Sequence, residues 1–246
     1  MHIGISGPIA SGKSTLAKSL QAVFDLMDIK TRIVPFAEDL KWMASLYGNK
    51  EIIIQLELYF RKLGFPNDVV DAGIIQVLYA MMLYPPVDGV KPRKLFQYIG
   101  TEAGRYTVDE NLWIKAVQQK IQTDSINKYF ISDDLRFANE ALAVHYHVQI
   151  LTEGSTATAA YEARKTLFPQ HYFFSDHESE NDVLPPANYT IPTDFTTPQV
   201  IHLAKSINHV ARSKVILTQN DLPAAFRDFG TALGNTSDVF VGRKKL

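Results

Sequence analysis

The chain contains no cysteine, so it has no disulfide framework, no thiolate nucleophile, no cysteine-ligated zinc and no iron–sulfur cluster. Long hydrophobic runs are also missing. The most apolar stretch, Ala72 to Tyr84, carries Gln76 and falls well short of the roughly 20 residues that cross a bilayer, so it reads as a core helix and no membrane association is expected. The first residues, Met1 to Ser6, lack a basic segment ahead of an apolar core, so no secretory signal is read there and a cytoplasmic location is the expectation. Charge of one sign is scarce as well: 25 Lys and Arg against 26 Asp and Glu give a net charge of -1. That balance argues against stable nucleic-acid binding, which needs a basic surplus on one face, but leaves room for a local basic pocket.

With 246 residues, 46% of them hydrophobic and 21% charged, the chain has enough apolar material for one α/β domain with an inserted lid. A short apolar run at 2–6 ends in Gly7-Pro8, and from Lys13 the apolar residues Leu16, Leu20, Val23, Phe24 and Met27 recur at helical spacing. Strand, glycine loop and helix follow in that order. A second strand is predicted at Thr31 to Pro35, then helices at 38–47, 51–63, 67–84 and 93–121, with Asp109 as an N-cap. Further on, Tyr129 to Ser132 reads as a strand, Phe137 to Val144 as a helix and Tyr146 to Leu151 as a strand. A polar segment at 153–186 carries a predicted helix at 156–167, before a strand near 189–191 and a helix at 198–210. Alternating strands and helices imply a mostly parallel sheet flanked by helices, with ligands beyond the carboxyl ends of its strands.

The strongest motif lies there. Gly7-Pro8-Ile9-Ala10-Ser11-Gly12-Lys13-Ser14 matches G-x-x-x-x-G-K-[ST] between a predicted strand and a predicted helix. In such a loop the backbone N–H groups and the helix N-terminus meet phosphate oxygens, the lysine reaches the β- and γ-phosphates, and the serine hydroxyl ligates Mg²⁺. Gly7, Ala10, Ser11, Gly12, Lys13, Ser14 and Thr15 are therefore the expected ATP contacts. The plainer reading of the same residues is a glycine turn with a solvated lysine and a capping serine. A nucleotide-bound Mg²⁺ also needs an acidic partner at the end of a neighbouring buried strand, and Asp133-Asp134 follows the run Tyr129 to Ser132. Either aspartate could hold the ion, and either could instead cap the helix that follows.

Four segments go further: Phe36-Ala37-Glu38-Asp39-Leu40-Lys41; Gln97 to Glu102 with Arg105; Asn111-Leu112-Trp113; and Asp133 to Glu140. Together with His177-Glu178-Ser179-Glu180 they resemble, in order, the phage deoxynucleoside monophosphate kinases, over residues 3–182. The last sixty or so residues carry no such resemblance. The resemblance implies a P-loop nucleoside monophosphate kinase-like fold spanning 1–212, with a helical acceptor-binding region at 38–122, a lid at 154–182 and an extension at 213–246. It implies transfer of the γ-phosphoryl group of ATP to a deoxynucleoside monophosphate, with Mg²⁺, and suggests a homodimer. Lys41, Arg105 and Arg136 would hold the acceptor phosphate, Gln97 and Glu102 would face sugar or base, Phe36 would stack on the base, and Arg164 would reach the donor from the lid. Lys13, Arg136 and Asp134 stand as the catalytic candidates.

Each has a structural rival. Arg136 could pair with Asp133, Asp134 or Glu140, and Arg105 with Glu102 across one helical turn. Trp113 is assigned to the core, and His145 and His147 to structural roles on one strand face. Other P-loop kinases, resembling dephospho-coenzyme A or phosphomevalonate kinases, share the loop and similar Asp-Arg segments. A switch or motor NTPase is the more distant alternative.

Overall fold

The computed structural model describes residues 1–8, 11–87, 89–90, 92–151 and 183–218. The loop tip with Ala10, the expected lid with Arg164, and residues 219–246 lie outside the described residues.

Five strands, β1 (His2–Ser6), β2 (Thr31–Ile33), β3 (Tyr129–Ser132), β4 (Tyr146–Leu151) and β5 (Tyr189–Pro192), form one sheet in the order β2-β3-β1-β4-β5. Every pairing is parallel. This is the expected α/β architecture, and the near-continuous burial of β1 and β3 is what a sheet covered on both faces demands. β2 stops at Ile33, shorter than predicted. Val34 still donates to Ile131 O at 2.8 Å, but Pro35 has no N–H with which to continue the ladder.

The helices are α1 (Lys13–Leu26), α2 (Glu38–Ser45), α3 (Ile52–Lys62), α4 (Asn67–Leu83), α5 (Arg93–Tyr98), α6 (Leu112–Thr123), α7 (Ala138–Ala143) and α8 (Thr197–Thr218). Helix α1 buries Leu16, Leu20 and Phe24, spaced four apart on one stripe, and Phe24 meets Tyr129 of β3 edge to face at 5.0 Å. Helix α4 is the apolar stretch noted in the sequence. It buries Val70, Ile74, Val77 and Met81, and Gly73 leaves room for Val108 and Phe60, where a Cβ would lie 2.6 Å from Val108 Cγ2. Among the described residues no helix is long and apolar enough to cross a membrane.

The predicted helix at 93–121 is three pieces. After α5 the chain winds as a π-helix, Ile99–Val108, then breaks at 109–111 before α6. The N-cap of α6 is Asn111 rather than the expected Asp109, which is extended two residues earlier and uses its carboxylate to accept from Asn111 N–H at 2.7 Å and from Lys115 Nζ at 2.7 Å, holding the turn before the helix. Wide π-turns are rare and tend to sit at functional sites. Trp113 of α6 packs against this one at two points. Trp113 Nε1 donates to Gly100 O at 2.8 Å, and a Cβ on Gly104 would lie 2.6 Å from the Trp113 ring.

The chain divides into two compact units, Met1–Val200 and Ile201–Leu246. The cavity and all the residues that line it belong to the first.

Candidate active site

The loop after β1 has the backbone its glycines allow. Gly7 and Gly12 adopt φ of 146° and 92°, a region L side chains rarely enter, and a Cβ on Gly7 would lie 2.9 Å from Ser11 Oγ. No side chain caps α1, so its first-turn amides face the loop without a protein acceptor from a cap residue. Lys13 Nζ donates to Gly7 O and Pro8 O, each at 2.7 Å, which folds the lysine over the loop. Ser11 Oγ is buried without a hydrogen-bond partner among the described residues. An orphaned buried hydroxyl beside uncapped amides is what a phosphate would satisfy.

Lys13 and Ser14 open onto a cavity of about 320 Å³ in the size range of ligand pockets. The expected residues Phe36, Lys41, Gln97 and Arg105 line it, as do Asp133, Asp134 and Arg136, so segments spread over some 120 residues meet in one place. Gly7, Ser11, Gly12 and Thr15 belong to the loop and the first turn of α1, beside that cavity. Glu102 is not among the lining residues; its Oε2 is buried without a partner among the described residues, and burial, then Tyr79 and then the Glu102 charge raise the Tyr98 hydroxyl pKa.

The two aspartates part company. Asp134 accepts from Phe36 N–H at 2.8 Å and from Ala37 N–H at 2.9 Å, fastening the chain after β2 to the end of β3. Burial pushes its carboxyl up, while those two amides pull it down. Asp133 lines the cavity with Ser14, and both offer hard oxygen donors of the kind Mg²⁺ prefers. Among the described residues no cluster of three or more His, Asp or Glu side chains could hold a metal. A divalent ion here would draw its other ligands from phosphate oxygens and water, as Mg²⁺ at nucleotide sites does.

Arg105 is 7% exposed. Its guanidinium pairs with Glu140 at 2.5 Å, reaches Glu110 O at 3.1 Å and Asn139 Oδ1 at 3.3 Å, and lies 3.6 Å over the Phe137 ring. Its ion-pair partner is therefore Glu140 rather than Glu102, the neighbour one helical turn away. The second oxygen of Glu140 accepts from Arg136 N–H at 2.8 Å and from Phe137 N–H at 3.2 Å, capping α7. Burial pushes the Glu140 carboxyl up, opposed first by Arg105 and then by these amides.

Several wall residues were not legible as site residues in the sequence, among them Arg93, Phe96, Thr101 and Phe137. The first three follow from Gln97 by helical spacing, since positions 93, 96, 97, 100 and 101 share one face. Trp113 lines the cavity too, yet at 4% exposure and with its Nε1 bonded to Gly100 it is chiefly a packing residue, as assigned.

His2 and His147 lie in the sheet, on β1 and β4, and His145 comes just before β4. His2 is 3% exposed and its Nε2 is 2.8 Å from Ser132 Oγ. Because Ser132 donates its proton to Val34 O at 2.6 Å, the imidazole supplies Nε2–H. Burial, then the charges of His145 and the N-terminal ammonium, lower its pKa to about 3. His145 accepts from His2 N–H at 3.0 Å, and His147 Nε2 lies 2.7 Å from Ser6 Oγ just before the loop, its pKa lowered by burial.

No family model matches the chain. Over 121 residues it is 26% identical to a protein of Escherichia phage T5 named deoxynucleoside-5'-monophosphate kinase. The match covers 49% of this chain and 43% of that protein, less than half of either. The resemblance to phage deoxynucleoside monophosphate kinases read from the sequence segments is thus met by a curated phage protein of that name.

Proposed function

We propose that the chain is a nucleotide kinase that moves the γ-phosphoryl group of ATP to a deoxynucleoside monophosphate, giving the diphosphate and ADP. One observation carries the reading: the phosphate-type loop, through Lys13 and Ser14, opens onto the same cavity as Lys41, Arg105, Arg136 and Asp133. Two polyanions brought together need fixed positive charge between them, and phosphoryl transfer is mostly positioning and charge stabilisation.

In this reading Lys13 leaves Gly7 O and Pro8 O for the donor phosphates, and the α1 amides with Ser11 Oγ take phosphate oxygens. Ser14 and Asp133 are the protein oxygens for Mg²⁺, which, when bound, neutralises charge on the donor phosphates. Arg136 and Lys41 face the acceptor phosphate. Arg105 has its guanidinium held by Glu140, so it adds positive potential to the wall and sets the position of Arg136 through their shared carboxylate. Asp134 is a positioning residue, holding Phe36 and Ala37 against the end of β3. No general base is required, because the second pKa of a phosphate monoester, near 6, leaves the acceptor mostly dianionic at neutral pH.

The deciding measurement is ADP release, coupled to a spectroscopic readout, over a panel of deoxynucleoside monophosphates. Stimulation by at least one of them is expected. ATP turnover stimulated by a phosphorylated pantetheine or mevalonate derivative, with every deoxynucleotide inert, would sink the proposal.

A further inference from the structure

Helix α6 touches two walls of the cavity along one stripe. Trp113 and Lys120 are seven residues apart in it, so they lie on the same side of the helix and about 10 Å apart along its axis. Trp113 braces the π-helix through Gly100 O and the close approach at Gly104. Lys120 braces α2: its Nζ donates to Asp39 Oδ1 at 2.5 Å and to Glu38 Oε2 at 2.8 Å. The π-helix carries Arg105 and α2 carries Lys41, so one helix is fastened to the supports of two cavity cations.

The contact of Lys120 with Asp39 is more enclosed than an ordinary surface pair. Their side chains are 24% and 12% exposed, against 46% and 41% for Arg61 and Glu57 on α3. Both Asp39 oxygens are engaged, because Tyr59 OH of α3 donates to Oδ2 at 3.0 Å, and the Tyr59 ring lies 5.3 Å from that of Trp42 on α2. On α2, Asp39 and Lys41 are two residues apart, about 200° around the axis, so they leave the helix on opposite sides. Holding Asp39 therefore sets the rotation of α2, and with it the place where Lys41 meets the cavity. Leu40, between them, bears on the π-helix at Gly100, where a Cβ would lie 2.9 Å from Leu40 Cδ1.

We propose that Lys120 is a positioning residue that, through Asp39, sets the rotation of α2 and so the placement of Lys41 against the acceptor phosphate. The inference rests on the kinase reading above and deepens it by adding a residue outside the cavity. Lys120 is not among the lining residues, so its effect reaches the acceptor through α2. Phe36 and Ala37 stay fixed to the end of β3 by Asp134 when Lys120 is lost, which leaves α2 attached at its start and free to turn beyond it. The donor loop runs from β1 into α1, and the carboxylates that hold Lys120 belong to neither.

The test uses the full chain and measures kcat, the KM for ATP and the KM for the deoxynucleoside monophosphate that the wild-type protein turns over fastest, with a urea midpoint for each variant. Lys120→Met is expected to raise the acceptor KM by about tenfold while the KM for ATP changes by less than about threefold. Lys120→Arg, which keeps a charged donor of similar reach, should return the acceptor KM to within about threefold of wild type. Asp39→Asn should match Lys120→Met, and the double variant should be no worse than either, since both break one contact. Asp39→Asn also keeps the side-chain size, so it carries the test if Lys120→Met does not fold. A lower urea midpoint with both KM values unmoved would make the pair merely structural and overturn the proposal. So would a KM for ATP that rises as much as the acceptor's, or additive effects in the double variant. Wild-type protein inert toward every deoxynucleotide removes the kinase reading and this inference with it, whereas wild-type turnover with an unaffected Lys120→Met removes this inference alone.

Discussion

Arg105 and Glu140 form a buried ion pair at 2.5 Å, with side-chain exposures of 6% and 4%, that joins the π-helix to the start of α7. Neither residue is a neighbour of the other in the sequence. The pair sets the wall of the cavity against the segment that follows β3, and the remaining oxygen of Glu140 holds the backbone at Arg136 and Phe137. Removing one partner leaves the other charge buried and uncompensated.

Glu140→Ala should therefore lower stability by about 3–5 kcal/mol, and Arg105→Met by a similar amount. The double variant should lose clearly less than the sum of the two, because each single change already breaks the pair. Urea unfolding of the four proteins measures this, and strict additivity would show that the two side chains act independently.

The adjacent aspartates should separate in their effects. Asp133→Asn is expected to reduce phosphoryl transfer by at least about a hundredfold with the unfolding midpoint nearly unchanged, since its carboxylate serves the ligand side of the cavity. Asp134→Ala should cost about 2–4 kcal/mol, because the amides of Phe36 and Ala37 lose their acceptor. Thermal melts and single-turnover rates on both variants make the comparison, and the reverse pattern would exchange their roles.

Lys13→Ala should leave the fold intact, because its bonds to Gly7 O and Pro8 O lie within one loop. Turnover is expected to fall by about 10²–10³-fold, the usual effect of losing a charge-stabilising donor at a reacting centre. Circular dichroism and ADP release on the same preparation check both halves, and near-normal turnover would remove Lys13 from the donor site.

His2 predicts a pH dependence. Its pKa is about 3 in the folded chain against an ordinary 6.5, so between those values the unfolded chain binds more protons than the folded one. The contribution is fully present above pH 6.5 and is lost as the pH falls toward 3, on the order of 5 kcal/mol in all. His2→Gln should flatten that part of the profile, with the difference between the two proteins shrinking as the pH drops. Denaturation midpoints from pH 7 to pH 4 follow it, and parallel profiles would mean that another group drives acid unfolding.

Much of this was legible in the sequence where a feature is local. The loop from Gly7 to Ser14 announces strand, turn and helix within a dozen residues, and Tyr129 to Ser132 is β-rich enough to read as a buried strand. What stayed hidden was set by partners far along the chain. The π-turns at 99–108 differ from an α-helix by less than one residue per turn, too little to show in a ten-residue apolar pattern, and they are held by Trp113 rather than by their own composition. Asp133 and Asp134 could not be told apart, because what distinguishes them is a pair of amides 97 and 98 residues away. Arg93 gave no local signal, being an ordinary arginine after a proline, and only its place one turn before Gln97 puts it in the wall.

The contact from Asp134 to Phe36 and Ala37 has a mechanical consequence. It acts as a rivet at one corner of the sheet: the strand end bearing Asp133 and the strand end leading into α2 are clamped by a single two-carbon side chain. A rearrangement of the helices beyond Ala37 would pivot on the far side of that rivet and leave the spacing of Asp133 and Phe36 as it is.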